Sequence, residues 1–404
     1  MNTIFFEDAD LDAQFGRTLY ATVSGSADLG EAFATARRVV PGDHGSWYRE
    51  WTAAGESVAA EATASAAAGH RISARQGFLR AAEYHRQAFY YCRDDLSAAA
   101  LLESYGRHRE AFRSAVTLMD GEARAVAIPY GTATLAGYFF RPADDDVARP
   151  TVLLPAGYDS TAESGWVDGV AMALARGMNA LSFEGPGQGG VLYEQGMTFR
   201  PDFEAVLTPV VDMVLDQSGV DPAALVLFGR SFAGYLAPRG ATGEHRMAAL
   251  ICDPAQYDFG EAVRGRMGDD VWARLQAADP ALDAQLDNGL ADPSRRNWLL
   301  SRMVTHGVTT VGDYYRELAR FSLRGLADRI TCPTLVLDAE GDPSSSGQAD
   351  ELARALTCPT TVHRFTEAEG AGGHCEGLGQ RRLERVAFDW IDSVLAARPV
   401  GAGT

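Results

Sequence analysis

The stretch Leu225–Gly234 reads LVLFGRSFAG, and it decides which fold the sequence predicts. Four apolar residues lead directly into Gly229, Arg230 and Ser231, and a helical pattern follows. A tight turn between a strand and a helix forces strained backbone angles on the serine, so small residues are needed two positions before and after it. Gly229 and Ala233 meet that need. The pattern therefore predicts a nucleophilic serine, Ser231, exposed on a strand-turn-helix elbow.

The sequence around this elbow alternates between short apolar runs and amphipathic stretches. Such alternation predicts an α/β fold with a doubly wound, mostly parallel sheet and crossover helices on both faces. A closing amphipathic helix is expected at Arg381–Ala397. The expected strands are Ala123–Pro129, Thr134–Arg141, Thr151–Pro155, Asn179–Phe183, Leu225–Phe228, Ala248–Cys252, Pro333–Leu337 and Thr360–Phe365.

The chain changes character near residue 121. Before it, the sequence is rich in Ala, Arg and Glu, with apolar residues at helical spacing. We expect residues 1–120 to form an N-terminal all-helical cap module, with breaks at Pro41-Gly42, Gly55 and Gly69. Residues 121–404 are expected to form the catalytic domain, with a helical lid insertion at 258–326. The aromatic residues of the module either pack its core or line a flat pocket, and the pattern leaves both open: Trp47, Tyr48, Trp51, Tyr84, Phe89 and Tyr90.

The composition restricts the chemistry. The 404 residues include 54 acidic and 36 basic side chains, the formal net charge is −18, and every basic residue is arginine. The absence of lysine excludes Schiff-base catalysis, lysine-anchored pyridoxal phosphate and the lysine of a phosphate-binding loop. An acidic surface repels nucleic acid and anionic membranes, so the expected partner is a small-molecule substrate.

Targeting and redox patterns are also informative. The N-terminal stretch 1–12 is acidic and lacks a basic region before an apolar run, so no signal peptide is expected. No apolar stretch approaches the length needed to cross a bilayer. The cysteines are scattered without a CxxC pair, which predicts free thiols and neither a disulfide framework nor a zinc site. We expect a cytoplasmic protein with no bound metal. The cysteines are Cys92, Cys252, Cys332, Cys358 and Cys375.

A serine nucleophile needs a base and an acid, which this fold places after later strands in the order serine, acid, histidine. His374 follows the last expected strand and ends the glycine-rich run 369–373, so it is the candidate base; the alternative is a surface histidine. The acid should follow the strand Pro333–Leu337, where it orients the imidazole. Asp342 lies on a turn beyond that strand and is the preferred candidate, with Asp338 and Glu340 as alternatives.

The oxyanion hole needs two backbone N–H groups. We expect one from Phe232 and the other from the loop after Thr151–Pro155, at Gly157 or Tyr158. In the same loop, Asp159 is a candidate for a catalytic or substrate-orienting role.

Two further stretches are expected to be structural. Ser160 and Glu163 form a capping-box pattern, so Glu163 is expected to cap a helix. The stretch 183–190, FEGPGQGG, is expected to form a turn that lines the pocket and not a phosphate loop, since its glycine spacing is wrong and the sequence has no lysine.

Four motifs together resemble one branch of the α/β-hydrolases: GYDST at 157–161, FEGPGQG at 183–189, GRS at 229–231 and GHCE at 373–376. That branch holds 2,6-dihydroxypseudooxynicotine hydrolase and fungal and bacterial hydrolases that shorten aromatic polyketide chains. The resemblance covers most of residues 121–395 and, more loosely, the helical module.

The resemblance implies a triad of Ser231, Asp342 and His374, no cofactor, and a homodimer. It also implies cleavage of a carbon–carbon bond next to a ketone, or of an ester in some members. Asp159 occupies the position of a functional glutamate in the nicotine-pathway member, with a side chain shorter by one methylene.

The leading hypothesis is hydrolytic cleavage of a β-dicarbonyl or aromatic polyketide-type substrate, a retro-Claisen reaction through an acyl-enzyme. The same residues would serve ester, lactone or amide hydrolysis, because the leaving group is set by the pocket and not by the triad. A third hypothesis is a non-catalytic hydrolase scaffold, which retention of Ser231 and His374 disfavours.

Overall fold

The computed structural model describes residues 3–344 and 347–398. Its N-terminal part is helical, as the apolar spacing predicted, and the chain enters its first strand only at Glu122. Within this part, α4 and α5 run side by side, and Phe112 of α5 packs edge-on against Tyr138 of the sheet, with ring centroids 4.9 Å apart. The helices are Ala9–Tyr20 (α1), Leu29–Ala36 (α2), His44–Ala67 (α3), Arg71–Phe89 (α4) and Ala99–Val116 (α5).

Gly55 does not break a helix, contrary to the prediction, but lies inside α3. A Cβ atom at Gly55 would come within 2.7 Å of the His85 ring on α4. A Cβ atom at Gly77 on α4 would lie 2.7 Å from the Cβ atom of Ala62 on α3. These glycines therefore let α3 and α4 pack closely, and this close approach, not a turn, explains their presence.

The aromatic residues of the helical part mostly pack its core. Trp47, Trp51, Tyr84 and Phe89 are at most 1% exposed, and the Trp47 and Trp51 rings lie 5.6 Å apart. Tyr90 is different, because the Arg93 guanidinium lies 4.3 Å from its ring centroid, beside the candidate site described below.

The sheet has eight strands in the order β1-β2-β4-β3-β5-β6-β7-β8. Strands β1 and β2 are antiparallel to their neighbours, and β3 to β8 are parallel to one another. The predicted α/β class and mostly parallel sheet are confirmed. The strands are Glu122–Tyr130 (β1), Ala133–Arg141 (β2), Arg149–Pro155 (β3), Asn179–Phe183 (β4), Val220–Arg230 (β5), Ala249–Asp253 (β6), Thr334–Ala339 (β7) and Thr360–Phe365 (β8).

Both faces of the sheet are covered, which is why its central strands read as continuous apolar runs. Val226 and Phe228 of β5 face the helical module and the C-terminal helix. Leu225 and Leu227 face the opposite helices. The helices of the two faces are Ala171–Ala175 (α6), Gly189–Tyr193 (α7), Glu204–Leu215 (α8), Ala233–Ala241 (α9), Gln348–Ala355 (α15) and Gln380–Ala396 (α16).

The segment between β6 and β7 is helical and has a small apolar core of its own, which includes Leu275, Leu299 and Tyr314. Its helices are Phe259–Met267 (α10), Asp269–Gln276 (α11), Pro280–Asp287 (α12), Pro293–His306 (α13) and Val311–Leu318 (α14). That residues 258–326 act as a lid, and that the domains divide at residue 120, stay predictions. No helix in the described residues is both long and apolar enough to cross a membrane.

Candidate active site

The elbow forms where β5 turns into α9. Ser231 has a φ of 57°, a left-handed conformation that L-residues rarely adopt, and its N–H donates to the Asp253 carbonyl at 2.6 Å. A Cβ atom at Gly229 would lie 2.0 Å from the Ala233 carbonyl oxygen, and one at Gly234 would lie 2.0 Å from the Pro254 carbonyl oxygen. Glycine is therefore required at 229 and 234, whereas position 233 accommodates alanine.

The structure brings three predicted residues into one hydrogen-bonded chain. Ser231 Oγ lies 2.9 Å from His374 Nε2. His374 Nδ1 lies 3.0 Å from Asp342 Oδ2. This is the geometry in which an imidazole accepts the serine proton while a carboxylate fixes its tautomer. The other two candidate acids are turned elsewhere: Asp338 pairs with Arg364 at 3.4 Å, and Glu340 accepts the Glu367 N–H at 2.9 Å.

The electrostatics of this chain favour an ionised acid and a basic imidazole. Burial would raise the pKa of Asp342, but hydrogen bonds from His374 and Ser344 lower it. Partial burial would lower the pKa of His374, but the Cys375 sulfur and the Asp342 carboxylate raise it well above its ordinary value. An imidazolium at His374 is therefore stabilised in this arrangement.

Ser344 was not singled out from the sequence, yet it contacts both partners. Its hydroxyl donates to Asp342 Oδ1 at 2.7 Å and lies 2.9 Å from His374 Nδ1. Its backbone N–H also donates to Asp342 Oδ1 at 2.7 Å. A serine two residues after a turn carboxylate is a common Asx-type pattern, so only the fold shows that it reaches the histidine.

The loop after β3 lies against Ser231. A Cβ atom at Gly157 would lie 3.1 Å from Ser231 Cβ, so Gly157 permits the approach. The N–H groups of Phe232, Gly157 and Tyr158 have no acceptor among the described residues, which leaves them available for an oxyanion. The Tyr158 ring packs on the Phe232 ring at 5.0 Å.

The stretch 183–190 lies behind this loop, and all its residues are buried. That it lines the pocket stays a prediction. Gln188 Nε2 donates to the carbonyl oxygens of Ala156 and Gly157, which fixes the loop backbone. Glu184 accepts the Ala162 N–H at 3.0 Å. Burial and the neighbouring Glu163 carboxylate raise the pKa of Glu184.

The predicted capping box is wrong. The hydroxyl that accepts the Ser164 N–H belongs to Thr161, at 3.2 Å, and not to Ser160. Glu163 is buried and accepts the Tyr138 hydroxyl at 2.9 Å, with His108 of α5 at 3.6 Å. The carboxylate thus joins the sheet to the helical module, and polar partners in tertiary structure outweigh the local pattern.

Arg230 is a further residue that the sequence reading missed. Its buried guanidinium donates to Asp253 at 2.9 Å and to the Cys375 carbonyl at 3.1 Å. It therefore connects the elbow to the loop that carries His374. The sequence feature that could have indicated this role is the position of Arg230 at the end of a buried apolar strand, because a buried charge needs partners of opposite charge or hydrogen-bond acceptors.

Asp159 lies in the same loop but is engaged by arginines. Arg93 donates to its Oδ1, and Arg17 lies 3.9 Å from its Oδ2. Burial would raise the pKa of Asp159, but Arg93, Arg302 and Arg17 hold it well below its usual range. A carboxylate held ionised in this way is a poor proton carrier near pH 7, so the geometry favours orientation over proton transfer.

Comparisons with known proteins agree with this geometry. The family model described as "Esterase FrsA-like" matches residues 32–252. The relative named 20-hydroxy-prefusarin hydrolase FUS2, from Gibberella moniliformis, is 32% identical, over 98% of this chain and 99% of that protein. Hydrolase LUC6 from a Fusarium species is 29% identical, over 97% of this chain and 98% of that protein.

Among solved structures, 2,6-dihydroxy-pseudo-oxynicotine hydrolase shares the fold with a TM-score of 0.73 at 22% identity, covering 95% of this chain and 98% of that one. The branch of hydrolases that the four motifs indicated is confirmed. This chain is an enzyme of the FrsA-like esterase family of α/β-hydrolases.

Proposed function

We propose that this hydrolase cleaves a carbon–carbon bond of a β-dicarbonyl, of aromatic or polyketide type, through an acyl-enzyme on Ser231. The observation that carries the proposal is the hydrogen-bonded chain Ser231–His374–Asp342 beside unpaired N–H groups of the oxyanion loop. The choice of a carbon–carbon bond follows from the resemblance of the four motifs at 157–161, 183–189, 229–231 and 373–376 to hydrolases that shorten polyketide chains. The relative FUS2 is named as a hydrolase of 20-hydroxy-prefusarin.

The reaction balances with water as the only co-reactant. Ser231 Oγ bonds to a ketone carbon while its proton passes to His374 Nε2, and the N–H groups of Phe232 and the Gly157–Tyr158 loop hold the oxyanion. The bond from that carbon to the central carbon breaks, and its electron pair remains on the central carbon as an enolate. His374 returns the proton to this carbon. Water, deprotonated by His374, then hydrolyses the acyl-Ser231 ester to a carboxylic acid.

A second candidate is carboxylester or lactone hydrolysis, which the esterase description of the family favours. The same residues perform it, but the proton from His374 goes to a leaving oxygen instead of a carbon. The substrate therefore decides between the two, and the helical part of the chain, which contacts the oxyanion loop through Arg17 and Arg93, is expected to select it. A homodimer and a cytoplasmic location stay predictions.

The test uses two substrates and one probe on the purified chain. Benzoylacetone reports carbon–carbon cleavage through formation of a carboxylic acid and a methyl ketone, and para-nitrophenyl acetate reports ester cleavage. We expect both to be hydrolysed, with Ser231→Ala inactive on each and a fluorophosphonate labelling the wild type at Ser231 only. Ester turnover without cleavage of any β-diketone would support the second candidate instead. Failure of the probe to label Ser231 would contradict both.

A further inference from the structure

Three arginines from separate segments converge on the oxyanion loop at Asp159. Arg17 comes from α1, Arg93 from the turn after α4, and Arg302 from α13. Burial lowers the guanidinium pKa of each of these arginines, and the negative charge of Asp159 is among the charges that raise it. In a chain of net charge −18, this is a concentration of positive charge at the candidate site.

The Asp159 carboxylate cannot accept hydrogen bonds from all the N–H donors of these three arginines. Arg93 donates to Asp159 and, through Nε, to the Tyr90 carbonyl at 2.9 Å. Among the described residues, Arg17 reaches Ser160 Oγ at 3.5 Å and Asp159 at 3.9 Å. A guanidinium carries five N–H donors, so most of those on Arg17 have no close acceptor in this part of the chain.

Arg302 is even less engaged. It reaches the Trp298 carbonyl at 3.3 Å and Ser301 Oγ at 3.5 Å, and it forms no ion pair with any carboxylate of the described residues. Its guanidinium lies 4.0 Å from the centre of the Trp298 ring and 5.4 Å from the centre of the Tyr158 ring. Arg302 therefore presents its charge to the oxyanion loop with no carboxylate of the described residues within ion-pair distance.

Two other acids face this cluster beyond ion-pair distance. Asp168 is among the charges that act on Arg17, but its ion pair is with Arg230, at 3.7 Å. Burial raises the pKa of Asp10, and the Tyr91 hydroxyl and Arg302 lower it. Burial also raises the pKa of Tyr158 and Tyr314, so these hydroxyls stay protonated at neutral pH. Among the described residues neither Asp10 nor Asp168 forms an ion pair with Arg17 or Arg302, so N–H donors of both arginines stay open to a ligand.

This cluster is continuous with the nucleophile and open to solvent. Tyr158 links Arg302 to Phe232, and Gly157 touches Ser231, as described above. The side chains of His374, Arg17 and Asp159 remain 39%, 21% and 14% exposed. A small molecule that approaches Ser231 therefore meets the unsatisfied donors of Arg17 and Arg302.

We propose that Arg17 and Arg302 bind an acidic oxygen group of the substrate, a carboxylate or an enolised β-dicarbonyl, while Asp159 and Arg93 hold the site in place. A planar oxygen anion matches the guanidinium fork, and the local positive charge offsets the repulsion by the acidic surface. The inference rests on the proposed serine hydrolase chemistry and specifies the substrate class of that same site.

The test compares two esters that differ only in charge: mono-para-nitrophenyl glutarate and its methyl ester. For the wild type we expect a lower KM for the carboxylate, rising with ionic strength. Arg302→Gln and Arg17→Gln should each raise the KM of the carboxylate ester about tenfold and leave its kcat unchanged. A tenfold change is roughly the effect of losing one hydrogen bond to a charged group. The KM of the methyl ester should change less than about twofold by comparison.

Arg296→Gln is the matched control, because Arg296 lies on the same helix α13 but is exposed; it should leave both KM values unchanged. Equal effects of Arg302→Gln on both esters would overturn the proposal, since they would indicate a structural role. The two esters distinguish failure of the anion site from failure of the serine hydrolase chemistry. If both esters are hydrolysed with equal KM values, only the anion site is contradicted. If neither ester is hydrolysed, the serine chemistry is contradicted.

A second measurement uses only the wild-type protein and compares its inhibition by charged and neutral small molecules. Dimedone, a cyclic β-diketone that is anionic at neutral pH, should inhibit wild-type hydrolysis of the methyl ester competitively, and cyclohexanone should not. Glutarate and its dimethyl ester form the corresponding carboxylate pair. Preference for either anion supports the site and indicates which oxygen group it takes. Equal inhibition by charged and neutral members of both pairs would overturn it.

Discussion

The Ser344 hydroxyl lies 2.9 Å from His374 Nδ1 and donates to Asp342 Oδ1 at 2.7 Å. Nδ1 thus has the hydroxyl oxygen as an acceptor besides the two carboxylate oxygens, at 3.2 and 3.0 Å. An imidazolium formed at His374 is held by all of them. If His374 acts as the proposed base, we expect Ser344 to position it, in addition to the three residues that the motifs indicated.

Ser344→Ala should lower kcat by about 10- to 100-fold with little change in KM, because one hydrogen bond to a charged group contributes about 1.5–3 kcal/mol. The pH midpoint of kcat/KM should fall, since the imidazolium loses an acceptor, and Ser344→Thr should restore much of the rate. Ser393→Ala, which removes an exposed hydroxyl bonded to the Asp389 carbonyl, is the control. Unchanged kcat in Ser344→Ala would contradict this role.

The activity should require a pH above the ordinary range of histidine. His374 must be neutral to accept the Ser231 proton, and its pKa is raised, so kcat/KM should rise with pH through a midpoint above about 6.5. Asp342→Asn should lower that midpoint and reduce kcat by several orders of magnitude. A pH series with the uncharged methyl ester measures both. A wild-type midpoint near 5 would be inconsistent with the geometry.

Cys375→Ser separates the contribution of the sulfur to the raised pKa. Cys375 Sγ lies 3.6 Å from His374 Nε2. The pH midpoint of kcat/KM should fall in this variant while the fluorophosphonate still labels Ser231. An unchanged midpoint would show that the sulfur does not raise the pKa of His374.

Gly157→Ala should impair catalysis without unfolding the protein. The added Cβ would lie 3.1 Å from both Ser231 Cβ and the Arg230 carbonyl oxygen, so the loop and the nucleophile must move apart. Since loss of one oxyanion donor costs roughly 10²–10³ in kcat, a partial displacement should reduce kcat at least tenfold. Gly106→Ala on α5 has open space, so it should leave kcat unchanged and should not lower Tm, because alanine is the better helix former. Full activity of Gly157→Ala would remove this loop from the oxyanion site.

Asp159→Asn should destabilise the fold more than it alters proton transfer. Breaking the buried pair with Arg93 leaves its guanidinium uncompensated, a loss on the order of 3 kcal/mol at pH 7. Because the pKa of Asp159 is lowered in the fold, this contribution is present above the unfolded pKa and is lost as pH falls below about 4.

Urea unfolding of the wild type and Asp159→Asn at pH 7 and at about pH 3 measures this difference, and Asp159→Glu is the charge-conserving control. The pH midpoint of kcat/KM should be the same in all three proteins. If Asp159→Asn removed one limb of the pH profile and kept its stability, Asp159 would be a proton carrier instead.

Gly234→Ala should prevent normal packing of the elbow. Its Cβ would meet the Pro254 carbonyl oxygen at 2.0 Å, a backbone atom that no side-chain rotation relieves. Overpacking of this kind costs about 1–3 kcal/mol or more, so Tm should fall by several degrees. Gly265→Ala on α10 faces open space and serves as control. An unchanged Tm in Gly234→Ala would show that the elbow relaxes readily.

The sequence by itself determined the features that depend on local order along the chain. The apolar run before Ser231, the small residues around it, and the late positions of Asp342 and His374 follow from chain order in this fold, and the distances agree. The eight strands were predicted within a few residues, except that β5 begins at Val220 because its first residue pairs with Arg149.

Only the tertiary structure decided which polar side chains meet across distant segments. Ser344 and His374 are separated by 30 residues, and Arg230 and Cys375 by 145, so no local pattern pairs them. The arginines around Asp159 come from three distant segments: α1, the turn after α4, and α13. Glu163 was predicted to cap a helix, but in the fold its carboxylate contacts Tyr138 and His108. Hydrophobic periodicity is a property of neighbours in sequence, whereas a buried charge takes its partners from whichever segments the packed core brings beside it.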